Sequence, residues 1–290
     1  MFLLQLTVSL PTTVKTAIIN AVNASARQSP NLLPMGIKRK GLKIMLKVTY
    51  IEHSGFLLET ENASFLFDYY KGTLPQINSQ KPLLVFVSHK HGDHYNPEIF
   101  ELIKEFPNIY YILSKDVPVK WQMVKYKEQE ISLKEHIHIV NKNIVQEITI
   151  SGHGLLSIET LRSTDTGVAF LIHDKEKTYY HAGDLNLWVW EGETKQYNNS
   201  MTNAYYRELE KLKDKKIDVA FVPLDPRQEK DAYLGIESFL ECTNSHYVFP
   251  MHFWGDFNII DRFLTKHPEY QEKVMKIERA EQEFLLQPDL

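Results

Sequence analysis

The chain of 290 residues contains one cysteine, Cys242. A single thiol closes no disulfide within the chain and builds no multi-cysteine zinc site. Any metal held here must be held by histidine and carboxylate. Cys242 lies in "ESFLECTNSHYVFP", on the apolar side of an expected helix, and reads as a buried structural thiol rather than a nucleophile. Long apolar runs are missing too, since none has the ~20 residues that a membrane span needs. The opening "MFLLQLTVSL" has no basic segment before it and no small-residue cleavage site close behind, which argues against a secretory signal. Excess positive charge is absent: 33 Lys and Arg face 37 Asp and Glu, for a net charge of -4. That gives no electrostatic footprint for nucleic acid or for an anionic membrane. There is no Gly-x-Ser-x-Gly, and so no sign of a serine nucleophile elbow. The expectation is a cytoplasmic protein with a small-molecule substrate and neither a nucleic-acid nor a membrane partner. Its oligomeric state stays open.

What is present is the bulk for a core: 43% apolar residues, among them 15 Phe, 15 Tyr and 4 Trp. Patterning changes at Met45. Residues 1–45 are small, polar and basic with weak periodicity, and are expected to be a poorly ordered N-terminal extension; Met45 could itself be a natural start. Residues 46–290 carry the regular pattern. "LKVTYIEHSGFLLETENASFLFD" reads as three short strands with turns at Ser54-Gly55 and Glu61-Asn62. "KPLLVFVS" is a continuous apolar run, as for a strand buried on both faces. Asn96-Pro97 then looks like a helix start. Further strands are expected at 109–113, within 131–173, and in "KTYYHAGD", "IDVAFVPLD" and "HYVFPMHF". Helices are expected at 115–128, near 202–213 and in "GIESFLECTN". This order implies an α/β protein with two sheets packed face to face and helices outside.

Three strand ends carry residues that bind metals: "SHKHGDHY", "HAGDLN" and "PMHF". Imidazole and carboxylate suit borderline divalent ions, with zinc the default. His89 and His91 alternate with Lys90 and can project to one side. Gly92 allows a bend, after which Asp93 and His94 can face elsewhere. One ion does not need so many donors in so short a span, whereas two adjacent ions would.

On "SHKHGDH", "HAGD" and "PMH", in that order and at strand ends, residues 46–283 resemble the metallo-β-lactamase-fold hydrolases. "STDTGVAFLI", "YYHAGDLN" and "VPLDPR" look most like the branch related to ascorbate-6-phosphate lactonase. The resemblance implies an αββα sandwich of two mixed sheets, with the metals at one edge between them, and makes residues 46–290 a hydrolase domain. It implies that His89 and His91 hold a first ion, that Asp93, His94 and His252 hold a second, and that Asp184 bridges the two. Asp93 and Asp184 are then the catalytic carboxylates, and Asp68 an acidic residue that orients ligands. One departure stands out. The first-ion histidine usual before the Gly-Asp strand end is absent from "LRSTDTG", and His153 lies too early to replace it. Asp165 or water could complete that site, and a richer oxygen set would admit Mn²⁺ or Fe²⁺ beside Zn²⁺. A single ion on the Asp93, His94, Asp184 and His252 side is the other arrangement.

The implied reaction is hydrolysis of a lactone, ester or phosphorylated metabolite by a metal-activated hydroxide. Arg227 could bind a carboxylate or phosphate, with a salt bridge to Asp225 the plainer reading. Trp188 and Trp190 could wall the pocket. His53 reads better as a turn residue than as a ligand, and His181 as packing. A non-catalytic metal-binding or ligand-sensing module and a nuclease of the same superfamily are the alternatives.

Overall fold

The computed structural model describes residues 46–119, 123–126 and 129–287. The expected N-terminal extension, residues 1–45, lies outside the described residues. Fifteen strands run along the described chain. The first eight are β1 (Leu46–Glu52), β2 (Gly55–Glu59), β3 (Ser64–Phe67), β4 (Leu83–Val87), β5 (Ile109–Ser114), β6 (Met123–Tyr126), β7 (Gln129–Ser132) and β8 (Ile137–Val140). There follow β9 (Val145–Ile150), β10 (Gly154–Arg162), β11 (Val168–Asp174), β12 (Lys177–His181), β13 (Lys216–Pro223), β14 (Asn244–Met251) and β15 (Glu283–Leu286). One sheet has the order β15-β1-β2-β3-β4-β5-β8 and the other β14-β13-β12-β11-β10-β9. Both are mixed: β3, β4, β5 and β8 run parallel in the first, and β12, β13 and β14 in the second.

The continuous apolar run of β4 has a physical reason. Leu84 and Phe86 point into the main core, while Leu83, Val85 and Val87 point into a second cluster on the sheet's other face. Ile99, Phe100 and Ile103 of the segment Pro97–Lys104 cover that second face. The segment is a 3-10 helix, and it starts as expected, with the Asn96 side chain accepting the Glu98 N–H at 2.9 Å. The main core is aromatic: Phe56, Phe65, Phe67 and Phe86 meet Phe170, Phe221 and Tyr179. Tyr180, one residue on, faces the opposite way and stacks on Phe239 of helix α2. The helices are α1 (Lys195–Leu209), α2 (Leu234–Cys242) and α3 (Asn258–Lys266). The architecture is therefore the expected pair of mixed sheets with helical segments outside. Among the described residues, no helix is long and apolar enough to cross a membrane.

The helix expected at 115–128 is a correction. β6 and β7 form an antiparallel pair with Val124 opposite Ile131 and Tyr126 opposite Gln129. The Lys, Glu and Gln of this stretch favour helix, but alternating Val124 and Tyr126 suit a ladder, and cross-strand pairing prevails.

Parallel pairing decides where chemistry can sit. The C-terminal ends of β4, β12, β13 and β14 lie on one edge, the edge at which open α/β sheets gather their ligands. Val87, His181, Pro223 and Met251 are the last residues of those strands, and the three ligand-bearing motifs "SHKHGDHY", "HAGDLN" and "PMHF" lie at the ends of β4, β12 and β14.

Candidate metal centre

Asp184 is the point of convergence. Its Oδ2 lies 3.2 Å from His89 Nε2, and its Oδ1 lies 3.1 Å from His94 Nε2 and 3.4 Å from His252 Nε2. His89 Nε2, His94 Nε2 and Asp184 Oδ1 are buried and have no hydrogen-bond partner. Buried polar atoms left unpaired cost free energy. Donors bound about 2.1 Å from a shared tetrahedral ion lie roughly 3.4 Å apart. The separations seen are of that size, so the residues present fit divalent ions.

The donors fall into two groups, each with its ligand atoms within 4.8 Å of one another: His89, His91 and Asp184, and His53, Asp93, His94 and His252. The Asp184 carboxylate touches both. His53 belongs to the second group, although the sequence favoured a turn role for it. It is buried, its Nε2 lies 3.5 Å from Asp93 Oδ2, and its ring sits 4.2 Å from that of His252. Its signal was available, because His53 follows β1 much as His89 follows β4.

The far nitrogens of three imidazoles are anchored. His94 Nδ1 is 2.7 Å from Asp68 Oδ2, His252 Nδ1 is 2.9 Å from Asp225 Oδ2, and His89 Nδ1 is 2.9 Å from Ser88 Oγ. A carboxylate only accepts, so Nδ1 carries the proton in His94 and His252. Ser88 Oγ donates to Asp68 Oδ2 at 2.6 Å and so accepts from His89 Nδ1. In each ring Nε2 thereby faces Asp184. Such outer hydrogen bonds fix tautomer and direction in metal sites.

Asp68, fully buried, is the hub. Besides His94 it accepts the Ser88 N–H at 2.7 Å. Burial opposes its charge, but His181 and His94 hold its pKa below the ordinary carboxylate value. His181 donates from Nε2 to the Ser54 carbonyl and accepts the Gly183 N–H, so neither nitrogen is left for an ion. Asp68→Asn keeps the shape and removes the charge. It should weaken metal affinity or activity by about 10–100-fold, which titration of the apoprotein with Zn²⁺ would read.

Electrostatics agree with a cation site. Burial works against the Asp184 charge, yet His94, His89 and His252 hold its pKa well below the ordinary value. Burial likewise opposes charge on His94, but Asp184 and Asp68 pull its pKa up to about 10. Burial, then the neighbouring His252 and His94, push His53 down to about 2, which leaves it neutral, the form that binds metal.

Backbone strain collects here. His53, Asp68, His252 and Trp254 have φ of 54°, 39°, 65° and 51°. Non-glycine residues pay roughly 1–2 kcal/mol each in that region. At Gly167 (φ 76°) a Cβ would run into the Ser88 carbonyl oxygen and the His89 side chain. Gly167→Ala should therefore cost roughly 1–3 kcal/mol or more and lower Tm, with His89 displaced.

The other expected site residues are distributed unevenly. Asp165 is 51% exposed, with Oδ2 3.8 Å from His91 Nδ1, and it belongs to neither group. Arg227 is paired, with Nε and Nη2 on the two oxygens of Asp225 at 3.0 and 2.6 Å, and its guanidinium lies 4.5 Å from the Trp254 ring. Asp225 pairs with Arg227 as the plainer reading expected, but its bond to His252 was not expected. It is fully buried and joins Arg227 to His252, and although burial opposes its charge, these two hold its pKa at about 2. Trp188 is buried, donates from Nε1 to the Asp184 carbonyl at 2.9 Å and stacks on Trp190. A cavity of about 330 Å³ opens above the centre, lined by Asp93, Asp184, Trp188, Trp190, Arg227 and Trp254 among others.

Residues 47–199 match the family described as the beta-lactamase superfamily domain. A UPF0173 metal-dependent hydrolase of Desulforamulus reducens is 29% identical over 158 residues, which cover 49% of this chain and 64% of that protein. A protein of the same name from Carboxydothermus hydrogenoformans is 23% identical over 212 residues, covering 72% of this chain and 84% of its own length. Among solved structures, Igni18, a metallo hydrolase from the archaeon Ignicoccus hospitalis, has a similar fold. Its TM-score is 0.54 at 17% identity, covering 84% of this chain and 100% of that one.

Proposed function

The chain belongs to the beta-lactamase superfamily domain family, and from that premise we propose that it is a metal-dependent hydrolase of a small molecule. The observation that carries this reading is the Asp184 carboxylate, with His89 on one oxygen and His94 and His252 on the other. Residues 46–290 form the hydrolase domain in this reading. His89, His91 and Asp184 would hold one ion, and Asp93, His94 and His252, with His53 and Asp184 beside them, would hold the other. Divalent ions at such a pair of sites supply Lewis acidity and make water nucleophilic near neutral pH.

The chain's own residues do the rest. Asp184 keeps both sets of donors in register. Asp93 is partly exposed on the cavity wall, where its carboxylate can hold a proton between the attacking water and the leaving group. Trp188 shields the Asp184 side of the cavity from solvent. Arg227, through Asp225, orients His252 and presents its remaining donors to substrate. The first group has three protein donors, and an open position is what a catalytic rather than a structural site keeps. Zn²⁺ is the ion we assign, with Mn²⁺ or Fe²⁺ as substitutes. A lactone, ester or phosphorylated metabolite is the substrate class, on the resemblance to the ascorbate-6-phosphate lactonase branch.

Elemental analysis of the purified protein should find two ions per chain. Asp165→Ala measured beside it decides the place of Asp165: loss of about one ion makes it the fourth donor to the His89 and His91 side, and retention of both removes it from the ligand set. Metal-free protein after reconstitution would overturn the proposal.

A further inference from the structure

A second cleft of about 320 Å³ lies beside the metal cavity, and Asp165 lines both. Its walls carry Arg162, Arg207 and Lys211, with Glu208 and Asp165 as the opposing charges. Glu208 is already engaged: its Oε2 accepts from Lys211 Nζ at 2.6 Å and from the Arg162 backbone N–H at 3.0 Å. Lys211 also donates to Asn143 Oδ1 at 2.7 Å. The guanidinium groups of Arg162 and Arg207 have no partner among the described residues. Two unpaired guanidiniums in one concave site favour an anion, which they can receive through paired N–H groups.

Helix α1 borders both cavities. Tyr197 and Met201 line the metal cavity, and Ala204, Arg207, Glu208 and Lys211 line the cleft. Positions 197, 201, 204, 208 and 211 recur at steps of four and three, so they form one stripe along the helix and its continuation. From Met201 to Arg207 the axial rise is roughly 9 Å. The floor is shared as well. The Thr164 hydroxyl donates to the Asn186 carbonyl at 2.6 Å and accepts the Asn186 N–H at 3.0 Å, which ties the cleft's loop to the segment that follows Asp184.

We infer that the substrate is an elongated molecule with an anionic group, phosphate or carboxylate, held by Arg162 and Arg207 in the cleft beside the metal cavity. The inference rests on the hydrolase reading for the molecule's being a substrate. The cleft's affinity for anions does not depend on it.

Metal-loaded full-length wild type and an Arg162→Gln/Arg207→Gln variant are to be compared by equilibrium dialysis against inorganic phosphate and against glutarate. The variant should retain at least one of these anions about tenfold more weakly or worse, the loss expected for hydrogen bonds to a charged group, with metal content and Tm unchanged. The anion that loses affinity identifies the group. An Arg162→Lys/Arg207→Lys variant, which keeps charge but not the fork, should recover part of the binding. Equal retention of both anions by wild type and the glutamine variant overturns the inference. On the same samples, the ratio of kcat/KM for a carboxylate-bearing ester over its neutral analogue should fall about tenfold in the glutamine variant. If wild type turns over neither ester while arginine-dependent binding persists, it is the hydrolase reading that fails and the anion cleft that stands.

Discussion

Asp184→Asn should lose metal and activity together. Asparagine is nearly isosteric, so the fold has no steric reason to change. It offers no negative charge between His89, His94 and His252, and a neutral amide is a poor bridge between two cations. Ester or lactone turnover should fall by about 10²–10³-fold or more, the range for removing one charge-stabilising group from a desolvated site. Elemental analysis should show fewer than two ions per chain, and circular dichroism should show retained structure. Full activity with both ions bound would remove Asp184 from the centre. Asp225→Asn is the informative companion. It touches no ion in this reading, and acts only by loosening His252 and Arg227, so its defect should be smaller and partly rescued by added metal.

Stripping the metal should destabilise the protein measurably. The three carboxylates Asp68, Asp184 and Asp225 are buried among histidines, and the Nε2 atoms of His53, His89 and His94 lack partners. An ion present at 100 times its Kd adds about 2.7 kcal/mol to the native state. For a chain of this class, each kcal/mol moves Tm by about 2–4 °C. Two ions should therefore raise Tm by about 10 °C or more, and a chelator should reverse the gain. Zn²⁺ added back should restore it in wild type and far less in Asp184→Asn. An unchanged Tm on chelation would mean that the imidazoles and carboxylates satisfy one another without a cation.

Much of this centre was legible in the sequence because it is local. His89, His91, Asp93 and His94 occupy one strand-to-helix loop, and the continuous apolar run of β4 announces the strand that presents them. Asp184 and His252 were legible for the same reason, since each follows a buried strand at a turn. The core was legible too, because period-2 burial follows from the pleat.

What stayed hidden is non-local. His53 sits at a strand end that was legible, but it joins the centre only because β1 and β14 bring its ring within 4.2 Å of His252, and that meeting was not. The link from Asp225 to His252 spans 27 residues and two parallel strands. Left-handed backbone at His53, Asp68 and His252 could not be read from side chains that seldom adopt it. The hairpin of β6 and β7 replaced an expected helix because pairing partners, which only the fold supplies, outweigh weak propensity.

The sequence by itself determined the donor types, their order and the strands that carry them, because hydrophobic period and turn chemistry act over a few residues. Only the tertiary structure decided which donors come within reach of one another and which arginines stay unpaired beside them. Those outcomes depend on distances between strand ends far apart in the chain, and parallel strand pairing within each sheet, with the packing of one sheet on the other, sets those distances.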